Sequence, residues 1–260
     1  MNKPRGNDSA DPDPDPDPGL DSHSAPDSDS DSDSAHSVWL RPPVPPAVPP
    51  LTLERITEGA VALLDEEGMD RLTMRHLAER LGVGTTTLYW HIKTKADVID
   101  LAIDAIFGET PLPDGDSGDW RENIVTLLSD CRATLLRHPW SAALPLRQRP
   151  SIGPNFLAWM EFLQACLVRV GFRGQAATAA CWLLYSHLQG STASQSSLRW
   201  SDSERTAAQQ QLHHHRDTYP TLAAHDYLLD DDWEQNFHLG LRYALDGLQA
   251  QIDLRRRPVT

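Results

Sequence analysis

Two glycines, Gly82 and Gly84, separate two short runs of helical pattern, and this junction limits what the chain can fold into more than any other feature. Before it, Thr73 is placed to cap a helix whose apolar face is Met74, Leu77, Ala78 and Leu81, the i, i+3, i+4, i+7 spacing of a buried stripe. At the glycines the sequence predicts a tight turn in backbone conformations that other residues avoid. A second short helix, Thr85 to His91, then opens on three hydroxyl side chains and runs through Leu88, Tyr89 and Trp90. Two short helices joined by a glycine turn, the second dense in hydrogen-bonding and aromatic groups, form a helix-turn-helix pattern. Such a pattern predicts a reader of duplex DNA.

The flanks extend it. Leu53, Ile56, Ala60, Val61, Leu63 and Leu64 keep helical spacing until Gly68, a helix stop. Thr94 to Asp97 has the spacing of a capping box and predicts a helix from Lys95 to Phe107. From Asp119 onward the pattern is helical throughout. Trp120, Ile124, Leu127, Leu128, Cys131, Leu135 and Leu136 share one face, and the run ends at His138-Pro139. Pro145, Pro150 and Pro154 break the next connection, Phe156 to Val170 is a strongly apolar helix closed by Gly171, and Gln175 to Ser197 is a long helix with small residues on one side. Ser201 to Asp226 is polar, rich in Gln and His, and reads as an irregular helix or mobile loop. A last helix runs from Asp230 to Arg256, with acids at its start and Arg255, Arg256 and Arg257 at its end, which suits the helix dipole. The expected fold is all-α: a three-helix helix-turn-helix domain over residues 51–108 and a larger helical domain over 109–260. Two long apolar helices near the C-terminus suit a dimer built as an intermolecular four-helix bundle, or equally an intramolecular core.

Composition bounds the rest. Residues 1–50 hold ten Asp and twelve Pro and almost no large apolar residue before Trp39, so they are expected to be a disordered acidic tail. The tail carries half of the net charge of −14. It is read as solubilising, with weak competition against DNA as the alternative. Between Thr73 and Lys95, Arg75, Arg80, Lys93 and Lys95 stand against Glu79 alone, so the expected contact face is locally basic. Cys131, Cys166 and Cys181 sit in apolar helical patterns and are expected to be buried free thiols in a reducing, cytoplasmic setting. No run of 18 apolar residues predicts a membrane span, and no signal peptide is expected. The chain carries no Ser-His-Asp elbow, phosphate loop, HExxH or paired-Cys spacing, and no enzyme, metal or cofactor is expected. His213, His214 and His215 point in three directions on a helix and make a poor metal site.

At the DNA, Thr85, Thr86 and Thr87 are expected near base edges and phosphate, Tyr89, Trp90, His91, Lys93 and Lys95 are candidates for backbone contact, and Arg75 is positioned for a guanine edge. Leu88 and part of Trp90 are expected to pack inside the domain.

The run GMDRLTMRHLAERLGVGTTTLYWHIKTKADVIDLA resembles the N-terminal domain of the TetR family of bacterial one-component transcriptional regulators, and Leu88 to Lys95 is especially similar to the tetracycline repressors. The Glu-Gln-x-Phe-x-x-Gly-Leu pattern from Glu234 to Leu241 resembles their last helix. The strong resemblance covers residues 51–108. It implies a homodimer formed through the last long helices, a palindromic operator on double-stranded DNA, base reading by Arg75, and a small-molecule effector held in the larger domain. Thr85-Thr86-Thr87 stands where tetracycline repressors carry Gln-Pro-Thr, which implies a different base preference. Candidate effector contacts are Trp140, Phe156, Trp159, Met160, Cys181, Trp182 and Tyr185, with Phe162 beside them. Of the subfamily's metal-binding histidines, one corresponds here to Pro145, if Arg149-Pro150 matches the Arg-Pro pair that follows it, and the others are missing around Gly108 to Thr110. An uncharged or weakly polar, ring-containing effector therefore fits better than a metal-chelated tetracycline. A repressor released by its effector is the expected function. A constitutive or architectural DNA binder, and an activator of the same family, remain the alternatives.

Overall fold

The computed structural model describes residues 50–114, 118–146 and 151–256. The acidic tail, Arg149-Pro150 and Arg257 lie outside the described residues. Ten α-helices and one 3-10 segment make up the described chain, with no strand among those residues.

Short-range signals build the first four helices. In α1, Leu53–Glu67, the Thr52 hydroxyl accepts from the Arg55 amide, Ile56, Ala60, Leu63 and Leu64 form the buried stripe, and Gly68 stops the helix at φ 79°. In α2, Met74–Leu81, Thr73 accepts from the His76 amide, and Leu77 and Ala78 are the buried pair. Gly82 ends it in the left-handed region, φ 68° and ψ 31°, with its N–H donated to Ala78 and Glu79 carbonyls. Gly84 differs from expectation. Its φ of −69° and ψ of 147° are extended backbone open to any residue, and it serves as the N-cap of α3, Thr85–His91. One left-handed residue suffices for the turn. A capping box then opens α4, Lys95–Gly108, with Thr94 Oγ accepting from the Asp97 amide and Asp97 accepting from the Thr94 amide, at 3.1 and 2.9 Å. Each such cap is worth about 1 kcal/mol.

The larger half comprises α5 (Trp120–Arg137), the 3-10 segment Pro139–Leu146, α6 (Pro154–Arg169), α7 (Gly174–Ser197), α8 (Asp202–His214), α9 (Pro220–Ala224) and α10 (Trp233–Arg256). Pro154 occupies the first turn of α6, so it starts that helix two residues before Phe156. The exposed α6 amides are capped from α4: Asp104 accepts from the Phe156 amide at 2.9 Å and the Asn155 side chain at 3.1 Å. A Cβ on Gly153 would lie 2.2 Å from that Asp104 oxygen, so glycine leaves room for the capping carboxylate. Helices α7 and α10 run antiparallel. His187 stacks on Phe237 near one end, and Arg255 lies over Phe172 near the other.

Ser201 to Asp226 is more regular than its composition implied. Ser201 and Glu204 form a reciprocal capping box for α8, and Pro220 starts α9. Gln209, buried in this lobe, accepts from the Leu228 amide at 3.1 Å. Polar side chains order the segment where apolar ones are scarce.

Candidate DNA interface and aromatic cluster

Helix α3 is held by one residue and offers the rest to solvent. Leu88 is fully buried, while Thr85, Thr86, Thr87, Tyr89, Trp90 and His91 are all exposed. Trp90 is 79% exposed, so little of it packs inside, whereas part of it was expected to. Two residues on from Leu88 a helical side chain points to the opposite face, so burying Leu88 carries Trp90 outward. A large indole held in water on this face is costly for a monomer and suits a surface that meets a partner.

The charges are less free than the sequence implied. Arg75 is exposed and pairs with Glu79 one turn on, at 2.8 Å, and this hydrogen bond holds the Glu79 carboxyl below its usual range. Arg80 makes a bidentate pair with Glu66 of α1, at 2.7 and 2.5 Å. Lys93 donates to the Tyr89 carbonyl at 2.8 Å, closing α3, and Lys95 donates to the Met69 carbonyl at 3.0 Å, tying α4 to the α1–α2 turn. An ammonium has three donors, so both lysines keep others for phosphate.

In the larger half, rings meet edge to face. Phe107 lies 5.0 Å from Phe156 and 5.7 Å from Trp159, and Tyr185 lies 5.8 Å from Phe156 and 5.9 Å from Trp159. Such pairs add about 0.5–1.5 kcal/mol beyond their burial. Trp159 is fully buried, and its indole Nε1 has no hydrogen-bond partner among the described residues. An unpaired buried donor costs about 1–3 kcal/mol, so this atom is the one group in the cluster that would gain most from a bound acceptor. Cys181 is buried beside this helix face, and burial pushes its thiol up to about 11. Cys131 and Cys166 are also buried and free.

Comparison with known proteins supplies the context for this geometry. Residues 56–102 match the model described as bacterial regulatory proteins, tetR family, and residues 112–252 match the tetracyclin repressor-like C-terminal domain. The chain belongs to the TetR family. An HTH-type transcriptional regulator of Saccharopolyspora erythraea is 39% identical over 84% of this chain and 93% of its own length. The HTH-type transcriptional repressor DrrR1 of Streptomyces coeruleorubidus is 30% identical over 80% and 81%. Among solved structures, ActR of Streptomyces coelicolor superposes with a TM-score of 0.71 at 28% identity, covering 80% of this chain and all of ActR. ActR has also been solved in complex with actinorhodin, and in that form its TM-score is 0.69 at 28% identity over 78% and 99%. The TetR family is one of transcriptional regulators, not of enzymes. Among the described residues no helix is long and apolar enough to cross a membrane.

Set against this TetR-family frame, the expected contact residues divide. Thr85 to Thr87, Tyr89, Trp90 and His91 share the exposed surface of α3, with Arg75 exposed on α2 and Lys93 and Lys95 at the entry to α4. Of the expected effector residues, Phe156, Trp159 and Tyr185 come together, Met160 packs half-buried against the core, and Cys181 is buried one turn before Tyr185. Trp182 touches Tyr185 at 5.7 Å but stays 55% exposed, so it edges the cluster instead of lining its interior. Trp140 is buried elsewhere, with its indole nitrogen on Asp65 of α1 at 2.7 Å. Phe107, which the sequence analysis named only as the end of the helix from Lys95, is a full member of the cluster, because the last turn of α4 points into the larger half. A cavity of about 480 Å³ between α8 and the start of α10, walled by Trp200, Tyr227 and Trp233, also went unread, since its walls lie apart along the chain and only the fold brings them together.

Proposed function

We propose that this chain is a homodimeric, effector-released repressor. Residues 51–108 form its DNA-binding domain, and residues 109–260 its effector-binding and dimerisation domain. The observation that carries the reading is α3 itself, anchored by Leu88 alone with its hydroxyl, aromatic and imidazole groups facing outward behind a left-handed Gly82 turn. Arg75 reads a base edge, while Tyr89, Trp90, His91, Lys93 and Lys95 position the protein on the phosphates. Dimerisation is supported by Trp182 and Leu183 on α7 and by Tyr243 and Leu254 on α10, all exposed on the two long antiparallel helices. A small-molecule effector is supported by the complex of ActR with actinorhodin and by the unpaired Trp159 donor within the ring cluster. That donor selects for a ring-containing molecule with an acceptor atom. The setting is cytoplasmic, as DNA binding requires.

The test is selection of the purified protein on random duplex DNA at near-physiological salt. An enriched palindrome supports a dimeric reader and provides a probe for effector-driven release. No enrichment, or binding that vanishes with modest salt, overturns the repressor reading.

A further inference from the structure

Besides the Asp104 caps of α6, a second polar joint connects the helix-turn-helix half to the larger half, and neither the DNA face nor the ring cluster uses it. His138, at the end of α5, is 7% exposed. Its Nδ1 lies 2.8 Å from Asp65 Oδ1 on α1, and its Nε2 lies 3.2 Å from Glu109 just beyond α4. Trp140 of the 3-10 segment donates its indole N–H to the same Asp65 oxygen, and Arg137 of α5 donates to Glu109 at 2.9 Å. These are the titratable and charged groups that face His138: Asp65 from α1, Glu109 from α4, and Arg137 from its own helix.

A neutral imidazole has one N–H and one lone pair, whereas both ring nitrogens here face carboxylate oxygens, which accept from Trp140 and Arg137 as well. Only the charged ring satisfies both. Burial pushes the Glu109 carboxyl up, but hydrogen bonds from Arg137 and His138 outweigh it and hold it below its usual range, so Glu109 stays an acceptor. The joint also reaches the DNA face. Asp65 is followed by Glu66, whose bidentate grip on Arg80 fixes α2 to α1. Apolar packing of α4 against α5 and α6 holds the halves together but is non-directional. Hydrogen bonds at fixed angles, here and at the Asp104 caps of α6, set their orientation.

We infer that the Asp65–His138–Glu109 clamp, with Trp140 as second donor to Asp65, is a proton-dependent joint that fixes the angle between the DNA-reading helices and the larger domain. His138 is a positioning residue. The joint stands on its own geometry, and its consequence for operator affinity rests on the repressor reading. Loss of the second N–H leaves one carboxylate facing a lone pair, and the angle is loosened on this side while the Asp104 caps persist.

The test uses the full chain carrying spin labels at Glu58→Cys and Gln164→Cys, both exposed positions in the two halves, diluted into unlabelled protein so that only distances within one chain are read. The three native thiols are buried. The wild-type distance distribution is expected to be narrow at about pH 5.5 and broad or displaced at about pH 8.5, the span over which histidine loses its charge. His138→Asn keeps a donor near the Nδ1 position but has no charge to lose, and should give the high-pH distribution at both values. Trp140→Phe keeps the ring and removes one donor to Asp65, so it should broaden the low-pH distribution while keeping the pH response. It serves if His138→Asn lowers the melting temperature too far to measure. A wild-type distribution that ignores pH, or a His138→Asn chain that retains the response, overturns the joint. On a duplex selected by the wild type, affinity should weaken about fivefold or more from low to high pH, a typical coupling factor, and His138→Asn should flatten that dependence. Label movement without any selectable duplex removes the repressor reading and leaves the joint. A selectable duplex with static labels removes the joint alone.

Discussion

Arg132 shows how one buried charge is accommodated. Its side chain is 4% exposed, hydrogen-bonded to Glu234, Gln195 and the Trp233 carbonyl, and its guanidinium lies 4.8 Å from the Phe237 ring. Glu234 is mostly exposed, so the two partners are unequal. Deleting the arginine leaves a carboxylate that water can solvate, whereas deleting the carboxylate strands a guanidinium in the core. Glu234→Gln keeps an amide oxygen for Arg132 but removes the charge from a mostly exposed position, so it is expected to cost about 1 kcal/mol, and Arg132→Met no more than that, read as denaturant midpoints. The pH dependence has a definite sign. Burial pushes Glu234 up, but a hydrogen bond from His238 and the charge of Arg132 outweigh it, so its carboxyl lies below the ordinary 4.5. A depressed carboxylate stabilises the fold fully above its unfolded value and loses that contribution as pH falls through the folded one. The wild type should thus lose melting temperature on acidification below about pH 4.5, and Glu234→Gln should show a shallower loss. Trp159 makes the complementary case. Trp159→Phe deletes a donor that has no partner among the described residues, so it should cost less than the about 3–5 kcal/mol of a truncated core aromatic. The same change should weaken an effector that accepts from that nitrogen by about tenfold, the worth of one net hydrogen bond, measured by ligand titration.

At the scale of the element, the bounds of α1 to α4 were legible because local chemistry sets them. Thr52, Thr73 and Thr94 cap with their own side chains, and Gly68 and Gly82 stop helices with positive φ. What was illegible is what comes from far along the chain. Glu66 neutralises Arg80 across 14 residues, and Asp65 meets His138 across 73, and no spacing rule carries either. Helix α8 was left open between irregular helix and loop for a different reason: with Gln and His on most faces it has no apolar period to detect, and its capping box and the buried Gln209 decide the matter. The two turn glycines, which looked equivalent in sequence, separate cleanly by substitution. Gly82→Ala forces a Cβ into φ 68° and should cost about 1–2 kcal/mol. Gly84→Ser meets only Thr87 Oγ1 at 3.9 Å and supplies a capping hydroxyl, so it should be neutral or stabilise by a few tenths of a kcal/mol. Thermal melts of the two variants, side by side, check both signs.

For the whole molecule, the helical class and the two family halves were readable, whereas which apolar residues face inward and which stay exposed was not, because both obey the same helical period. The structure divides them. On α10, Phe237, Leu241, Leu245, Leu248 and Ile252 are buried within the protomer, while Tyr243 and Leu254 are open to solvent. Leu184 and Leu188 on α7 are likewise buried, and Trp182 and Leu183 are not. A charge at an exposed position costs an isolated protomer little, within about 0.5 kcal/mol. At the centre of a dry dimer interface the same charge loses its hydration in both copies and should cost about 2 kcal/mol or more at each symmetry-related contact. Tyr243→Asp is therefore expected to leave the helical spectrum unchanged and to convert dimer to monomer at micromolar concentration in sedimentation. A protomer alone carries one recognition helix, so its affinity for a two-half-site duplex should fall toward its nonspecific level. A Tyr243→Asp protein that sediments as a dimer and binds DNA normally would move the interface off this face of α10 and place the exposed Tyr243 in some other contact.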